Sequence, residues 1–126
     1  MRINKYKAKK INADGETFDS KREYQRYLFL IHLVDTGKIK NLCRQVEYVL
    51  IPIQREPDII TKTGKHKPGR VIERKCSYIA DFQYEMNGQT IVEDVKGYRG
   101  GGAYAVFTIK RKLMLERYGI HVLEVK

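Results

Sequence analysis

The stretch YIADFQYEM (residues 78–86), followed by Asn87-Gly88 and then by QTIVEDVKG (residues 89–97), decides the fold of this chain. Both segments are rich in β-branched and aromatic residues, and both therefore predict strands. Asn-Gly between two such segments is a strong signal for a two-residue hairpin turn. A hairpin closed there sets Asp81 opposite Asp94, with their Cβ atoms about 5 Å apart.

Two carboxylates placed opposite each other repel, so this pairing destabilises the hairpin unless a positive charge lies between them. Side chains alternate along a strand, so Asp94 and Lys96 share one face of the second strand while Glu93 points to the other face. A divalent metal ion and the Lys96 ammonium are the two candidates for the positive charge. The alternative is an Asp–Lys salt bridge at the edge of the sheet, which is worth roughly 0–1 kcal/mol when exposed.

The remaining elements follow from periodicity and capping signals. Residues 20–36 predict an amphipathic helix that begins at a capping box and ends before Gly37. Residues 44–51 predict a strand, residues 103–118 a second helix and residues 120–125 a last strand. The order α-β-β-β-α-β predicts one α/β domain over residues 1–126, with a mixed central sheet flanked by helices and a parallel neighbour for the last strand.

Glu23 lies at the edge of the apolar stripe of the first helix rather than in the middle of its polar face. Its spacing from Ser20 matches the reciprocal capping bond, which is one role. The other role is a carboxylate directed into a site at the end of the sheet. The two roles do not exclude each other.

A net charge of +10 on 126 residues predicts a polyanionic partner, with nucleic acid ahead of a membrane surface. Residues 1–12 contain five cations and no acid, which predicts an arm that is mobile until it meets phosphates; a solvated tail is the alternative. Residues 54–75 are polar, basic and rich in turn residues, which predicts a loop that either grips DNA or is merely solvated. The candidate DNA contacts are Lys7, Lys9, Lys10, Lys65, Lys67, Arg70, Arg99, Lys110 and Arg111.

Cys43 and Cys76 form no C-x-x-C pair and have no metal-ligand spacing to the histidines. We expect both to be reduced, in or near the core of a cytosolic protein. The first ten residues lack the apolar run of a signal peptide, and the longest apolar segment, residues 27–34, is too short to span a bilayer. The sequence also gives no sign of an organic cofactor.

The acid on the helix, the Asp of the first hairpin strand and the Asp-Val-Lys of the second resemble the pattern of the PD-(D/E)XK nuclease superfamily. More narrowly, FDSKRE (residues 18–23), YIADF (residues 78–82) and EDVKG (residues 93–97) resemble a family of small phage and prophage proteins grouped with Holliday-junction resolvases. The resemblance covers roughly residues 18–125. Ala80 stands where the proline that names the superfamily would be.

The resemblance implies a restriction-endonuclease-like fold and a catalytic set of Glu23, Asp81, Asp94 and Lys96. It implies that Mg²⁺, with Mn²⁺ as a substitute, is held by Asp81, Asp94 and the Val95 carbonyl, with Glu23 holding a metal-bound water or a second ion. Lys96 would position or deprotonate the attacking water. Glu93 would join only if a bulge turned it inward.

The leading hypothesis is a Mg²⁺-dependent endodeoxyribonuclease that cleaves branched or duplex DNA in phage recombination or repair. It would act as a homodimer, because duplex cleavage needs two active sites. Its expected location is the cytoplasm of a bacterial host. The second hypothesis is a non-catalytic, basic nucleic-acid-binding module on a nuclease-like scaffold. A third is an interaction protein whose positive charge serves solubility or assembly.

Overall fold

The computed structural model describes residues 11–13, 15–97 and 99–126. It contains two helices, α1 (Lys21–Asp35) and α2 (Gly101–Tyr118), which lie near the two ends of the described chain. Four strands form the main sheet: β3 (Lys40–Ile51), β8 (Cys76–Met86), β9 (Gln89–Val95) and β10 (Leu123–Val125). The shorter strands are β1 (Ile11–Ala13), β2 (Glu16–Phe18), β4 (Gln54–Arg55), β5 (Ile59–Ile60), β6 (His66–Lys67) and β7 (Val71–Glu73).

The main sheet has the strand order β10-β9-β8-β3. The pairs β3/β8 and β8/β9 are antiparallel, whereas β10 runs parallel to β9 across the α2 connection. One apolar cluster packs sheet residues against α1, and a second packs them against α2. The predicted mixed α/β sheet with a parallel last strand is therefore confirmed. Neither described helix is long and apolar enough to cross a membrane.

The central hairpin closes as predicted. Asn87 and Gly88 both have positive φ values, 51° and 78°, which a type I′ turn requires. The ladder between β8 and β9 has the predicted register and runs from Met86–Gln89 back to Phe82–Glu93. It ends one step before the expected Asp81–Asp94 pair.

Capping residues fix both ends of α1 where the sequence predicts them. The Ser20 hydroxyl accepts a hydrogen bond from the Glu23 backbone N–H at 3.1 Å. Thr36 is the C-cap, and Gly37 follows with φ 74°. Because both ends are defined locally, the position of Glu23 in the first turn is defined as well.

Strand β8 turns over in its middle. Tyr78 and Ala80 lie in the cluster that contains α2 residues, whereas Phe82 and Tyr84 lie in the cluster that contains α1 residues. All four have even numbers and would share one face of a regular strand. The reversal therefore falls at Asp81, which it places between the two faces of the sheet.

Strand β3 turns over at the same level. Arg44 contacts residues on the α1 side, and Tyr48 packs against the α2 cluster. Between them Gln45 has φ 52°, a left-handed conformation that non-glycine residues rarely adopt. Because Arg44 pairs with Phe82, Gln45 lies opposite Asp81. Both strands thus reverse together, and their register is the same on either side.

Residues 54–75 are not the structureless loop that their composition predicts. Strands β4 and β7 pair with each other, and β5 and β6 pair further out, so the segment forms a two-step antiparallel ribbon. A Cβ atom on Gly69 would lie 1.9 Å from the Glu56 carbonyl oxygen, so only glycine allows this close approach. Strand pairing lets the backbone N–H and C=O groups of this segment form hydrogen bonds with each other. Composition does not reveal that pairing.

The cysteine prediction is half right. Cys76 is partly buried and packs against the α2-side cluster. Cys43 is exposed, which contradicts its expected place in or near the core. Both thiols are free. Strand β3 begins before Cys43, at Lys40, and an irregularity in its register follows Lys40.

Candidate active site

Asp81 lies at the centre of the site because the strand reversal directs it away from both apolar clusters. Its Oδ2 accepts the Val95 backbone N–H at 2.8 Å, and its Oδ1 lies 3.5 Å from the Gln45 amide nitrogen. Burial raises the pKa of the Asp81 carboxyl to about 7, and the negative charges of Asp94 and Glu23 add to the rise. The Val95 N–H and the Lys96 ammonium partly oppose it. Burial is thus the main reason that the Asp81 carboxyl favours its protonated form, and the neighbouring acids add to it.

Asp94 and Lys96 share one face of the chain, as the alternation predicts. Asp94 is only 6% exposed; its Oδ2 accepts the Tyr78 hydroxyl at 2.6 Å and its Oδ1 lies 2.8 Å from the Lys96 Nζ. The same ammonium lies 3.9 Å from the centre of the Phe107 ring on α2. Burial and the Asp94 charge raise the pKa of Tyr78, so its hydroxyl stays protonated and donates. These contacts fix the direction of both side chains.

Glu23 has one carboxylate oxygen on the backbone that precedes α1 and the other on the residues of the strand reversal. Its Oε2 accepts the Asp19 backbone N–H at 3.2 Å, one residue before the position that the capping box predicts. Its Oε1 lies 3.0 Å from the Gln45 amide nitrogen and 3.3 Å from an Arg44 nitrogen. Burial and the Asp19 charge raise the pKa of Glu23, and Arg44 partly offsets them. One oxygen therefore holds the residue before the N-cap, while the other faces the strand reversal.

Glu93 lies on the opposite face of the sheet, as a regular strand predicts. Its side chain is 0% exposed and is held by both the Nε and the Nη2 of Arg26, at 2.8 Å and 2.7 Å. The Tyr84 hydroxyl donates to it as well. No bulge brings Glu93 to Asp81, so it is a structural residue.

Three residues of the site were missed or given less weight by sequence reasoning. Gln45 bridges Glu23 and Asp81, although a glutamine in a strand is usually structural. Arg44 packs over the Phe18 ring at 3.8 Å while it contacts Glu23. The sequence predicts that Tyr78 is an aromatic residue of the core. The hydrogen bond from its hydroxyl to Asp94 is apparent only in the folded structure. The strand reversal, which the sequence pattern does not show, brings all three together.

The predicted DNA contacts fall into three groups. Arg70 pairs with Glu56 at 3.1 Å, and Arg99 and Arg111 pair with Glu124 at 3.7 Å and 2.9 Å, so these cations are already partnered. Lys65 and Lys67 are exposed on the ribbon, and Lys110 is partly buried on α2. Lys7, Lys9 and Lys10 lie outside the described residues.

The fit of a metal ion depends on the donor atoms. Asp81, Asp94 and Glu23 offer carboxylate oxygens, the donors that Mg²⁺ and Mn²⁺ prefer, and each carboxylate oxygen can accept more than one contact. Across the described parts of the chain, no group of three or more His, Cys, Asp or Glu side chains is arranged to hold a metal ion. Mg²⁺ usually keeps several waters and takes only one or two carboxylates, so the donor chemistry of Asp81 and Asp94 is of the kind that it prefers. The predicted role of the Val95 carbonyl stays a prediction.

Comparison with known proteins identifies a family whose function is not known. A family model described as "Protein of unknown function (DUF1064)" matches residues 3–124, which is nearly the whole chain. No curated protein matches, and no solved structure matches. Function must therefore be argued from the site itself.

Proposed function

The chain belongs to DUF1064, a family of proteins of unknown function, and we propose that it is a metal-dependent DNA endonuclease with a restriction-endonuclease-like fold. One observation carries the proposal. Asp81 and Asp94 come from neighbouring strands, Lys96 directly follows the second strand and Glu23 comes from α1. All four lie around the strand reversal, and the charges of the other three act on Asp81. Lys96 pairs with Asp94 and Arg44 pairs with Glu23, whereas Asp81 forms no ion pair among the described residues.

Each residue of the site has a definite task in phosphodiester hydrolysis. Asp81 and Asp94 would hold one divalent cation, which when bound supplies a Lewis acid and lowers the pKa of a coordinated water. Lys96, fixed by Asp94 and Phe107, presents its ammonium to the attacking water and to the charge that develops on the phosphate. Glu23 orients a further water through the oxygen that faces Gln45.

The proposed substrate is branched or duplex DNA, and the proposed setting is phage recombination or repair in the bacterial cytoplasm. The net charge of +10 supports a nucleic-acid substrate, since phosphate contacts give most of the affinity for DNA. Cleavage of both strands of a duplex requires two such sites, so we propose a homodimer.

A second candidate is a nucleic-acid-binding module without catalysis. The lack, in the described residues, of a preassembled three-ligand metal group favours it. The two candidates differ in one respect that is easily measured. The binding module holds DNA equally well with and without a divalent cation, and it leaves the DNA intact.

Cleavage of supercoiled plasmid and of synthetic four-way junctions, with Mg²⁺ or with EDTA, tests the proposal. We expect cleavage with Mg²⁺ only, and a loss of about 10²-fold in Lys96→Ala, because the ammonium no longer assists the water. Lys112→Ala is the matched control, since Lys112 is exposed on α2. Intact DNA at every Mg²⁺ concentration, together with tight binding, would favour the binding module.

The raised pKa of Asp81 predicts how pH and metal affect stability. Asp81 has a pKa of about 7 in the folded chain against 3.8 for the ordinary group, so the folded state binds its proton more tightly. Without metal, this contribution to the free energy of unfolding is present below about pH 4 and is lost as the pH rises through about 7. A bound cation reverses the effect, because it favours the ionised carboxylate.

We therefore expect Mn²⁺ to stabilise the protein more at pH 8 than at pH 5.5. At pH 8, a Mn²⁺ concentration of 100 times the Kd at that pH raises the free energy of unfolding by about 2.7 kcal/mol. Urea unfolding with Mn²⁺ or EDTA at the two pH values measures it. Equal stabilisation at both pH values, or none at either, would exclude Asp81 as a metal ligand.

A further inference from the structure

An open pocket of about 570 Å³ lies between α1 and the end of β10. Its lining includes four cationic side chains and one exposed aromatic ring, and it contains no Asp or Glu. These residues are Lys21, Arg22, Arg26, Lys126 and Phe29. Glu93 already pairs with Arg26, so the other three cations give this concave surface its positive charge, which attracts an anion.

Three of these cations have no acidic partner in the part of the chain that the structure describes. Among the described residues, Lys21, Arg22 and Lys126 form no ion pair, in contrast to Arg70, Arg99 and Arg111. Arg26 differs from them, because Glu93 holds its guanidinium from behind.

The pocket is adjacent to the candidate active site. Val125, which also lines the pocket, pairs with Val95, and its carbonyl accepts the Lys96 backbone N–H at 2.7 Å. A Cβ atom added to Gly97 would lie 3.5 Å from the Cδ and Nε of Arg22, so this arginine packs beside the residue that follows Lys96. The end of the pocket formed by Arg22 and Val125 therefore lies beside the residues that follow the site, Lys96 and Gly97.

We propose that the pocket binds a phosphate group of the nucleic-acid strand, next to the phosphate that is cleaved. Arg22 and Lys21 contact the phosphate oxygens, since guanidinium and ammonium groups are the standard donors to phosphate. Phe29 offers a ring on which the neighbouring base stacks, and the Arg26 guanidinium lies 4.8 Å from the centre of that ring. This inference rests on the proposed function for its substrate, but it concerns binding and not chemistry.

The test measures binding of a labelled single-stranded oligonucleotide by anisotropy in EDTA, in an Asp81→Asn background that removes any cleavage. Lys21→Ala/Arg22→Ala is compared with Lys112→Ala/Arg117→Ala, which removes the same charge from exposed positions of α2. Arg26 is left intact because its removal would leave the negative charge of the buried Glu93 without a cation. Oligonucleotides with a 5′-hydroxyl, a 5′-phosphate or a 3′-phosphate separate a terminal phosphate from a backbone phosphate.

We expect the Lys21/Arg22 double variant to bind about 10-fold more weakly than the α2 double variant, with a salt slope lower by about one. An equal loss for all three oligonucleotides identifies a backbone phosphate, and a loss confined to one end identifies a terminal phosphate; both support the proposal. Equal affinity and equal slope in the two double variants would overturn it. A protein that binds in this way but never cleaves DNA would refute the nuclease and leave the phosphate pocket in place.

Discussion

Asp81→Asn is expected to lower Mg²⁺-dependent cleavage by on the order of 10³-fold, because the cation loses one of its two anionic ligands. Asparagine has nearly the same shape, and its oxygen still accepts the Val95 N–H that Asp81 accepts at 2.8 Å. Only the long contact of 3.5 Å to the Gln45 amide nitrogen is lost if the asparagine nitrogen takes that place, because Gln45 also donates to Glu23 and stays oriented by it. The substitution thus removes the charge while it keeps the hydrogen bond from Val95.

The same substitution is expected to stabilise the metal-free protein at pH 8. The ionised Asp81 carboxylate is destabilised by burial and by the charges of Asp94 and Glu23, which raise its pKa from 3.8 to about 7. Removing this charge yields roughly 1–3 kcal/mol once solvent screening is allowed for. Activity and stability therefore move in opposite directions, which is typical of a residue kept for function.

Plasmid cleavage and urea unfolding at pH 8, each with Mg²⁺ or EDTA, measure both effects. Asp35→Asn is the matched control, because Asp35 is exposed at the end of α1 and should change neither quantity. Cleavage by Asp81→Asn within tenfold of the unmodified protein would refute the metal role of Asp81. A variant that lost stability together with activity would show that the carboxylate is structural.

Local signals were sufficient to predict the scaffold of the site. Asn87-Gly88 determines the turn, the turn determines the register, and the register brings Asp81 near the strand that carries Asp94 and Lys96. Alternation then separates Glu93 from Asp94. These inferences succeed because each depends on contacts between residues that are close in sequence.

The details of the site depend on contacts that local patterns do not encode. The paired reversal of β3 and β8 requires Gln45 to adopt φ 52°, although glutamine has no preference for that conformation. Tertiary packing on two different helices imposes it, since each half of both strands serves a different cluster. Gln45, Arg44 and Tyr78 therefore become recognisable as part of the site only in the fold.

A second effect of comparable size is expected on the other face of the sheet. Arg26→Ala should lower the free energy of unfolding by about 3–5 kcal/mol, because it leaves the Glu93 carboxylate buried without its cation. Glu93 is 0% exposed and forms two hydrogen bonds with the guanidinium, at 2.8 Å and 2.7 Å. The Tyr84 hydroxyl alone cannot replace a full positive charge.

Urea unfolding of Arg26→Ala, of Lys75→Ala and of the double variant Arg26→Met/Glu93→Leu separates a buried pair from an exposed one. Lys75→Ala breaks the exposed pair with Glu47 and should cost no more than about 1 kcal/mol. The double variant removes both charges, so it should recover most of the stability that Arg26→Ala loses, since an apolar pair of similar size often substitutes for a buried ion pair. If Arg26→Ala cost no more than Lys75→Ala, water would have to reach Glu93, and α1 would not seal this face of the sheet. In that event the Phe29 and Arg26 side of the phosphate pocket would also lose its rigid support.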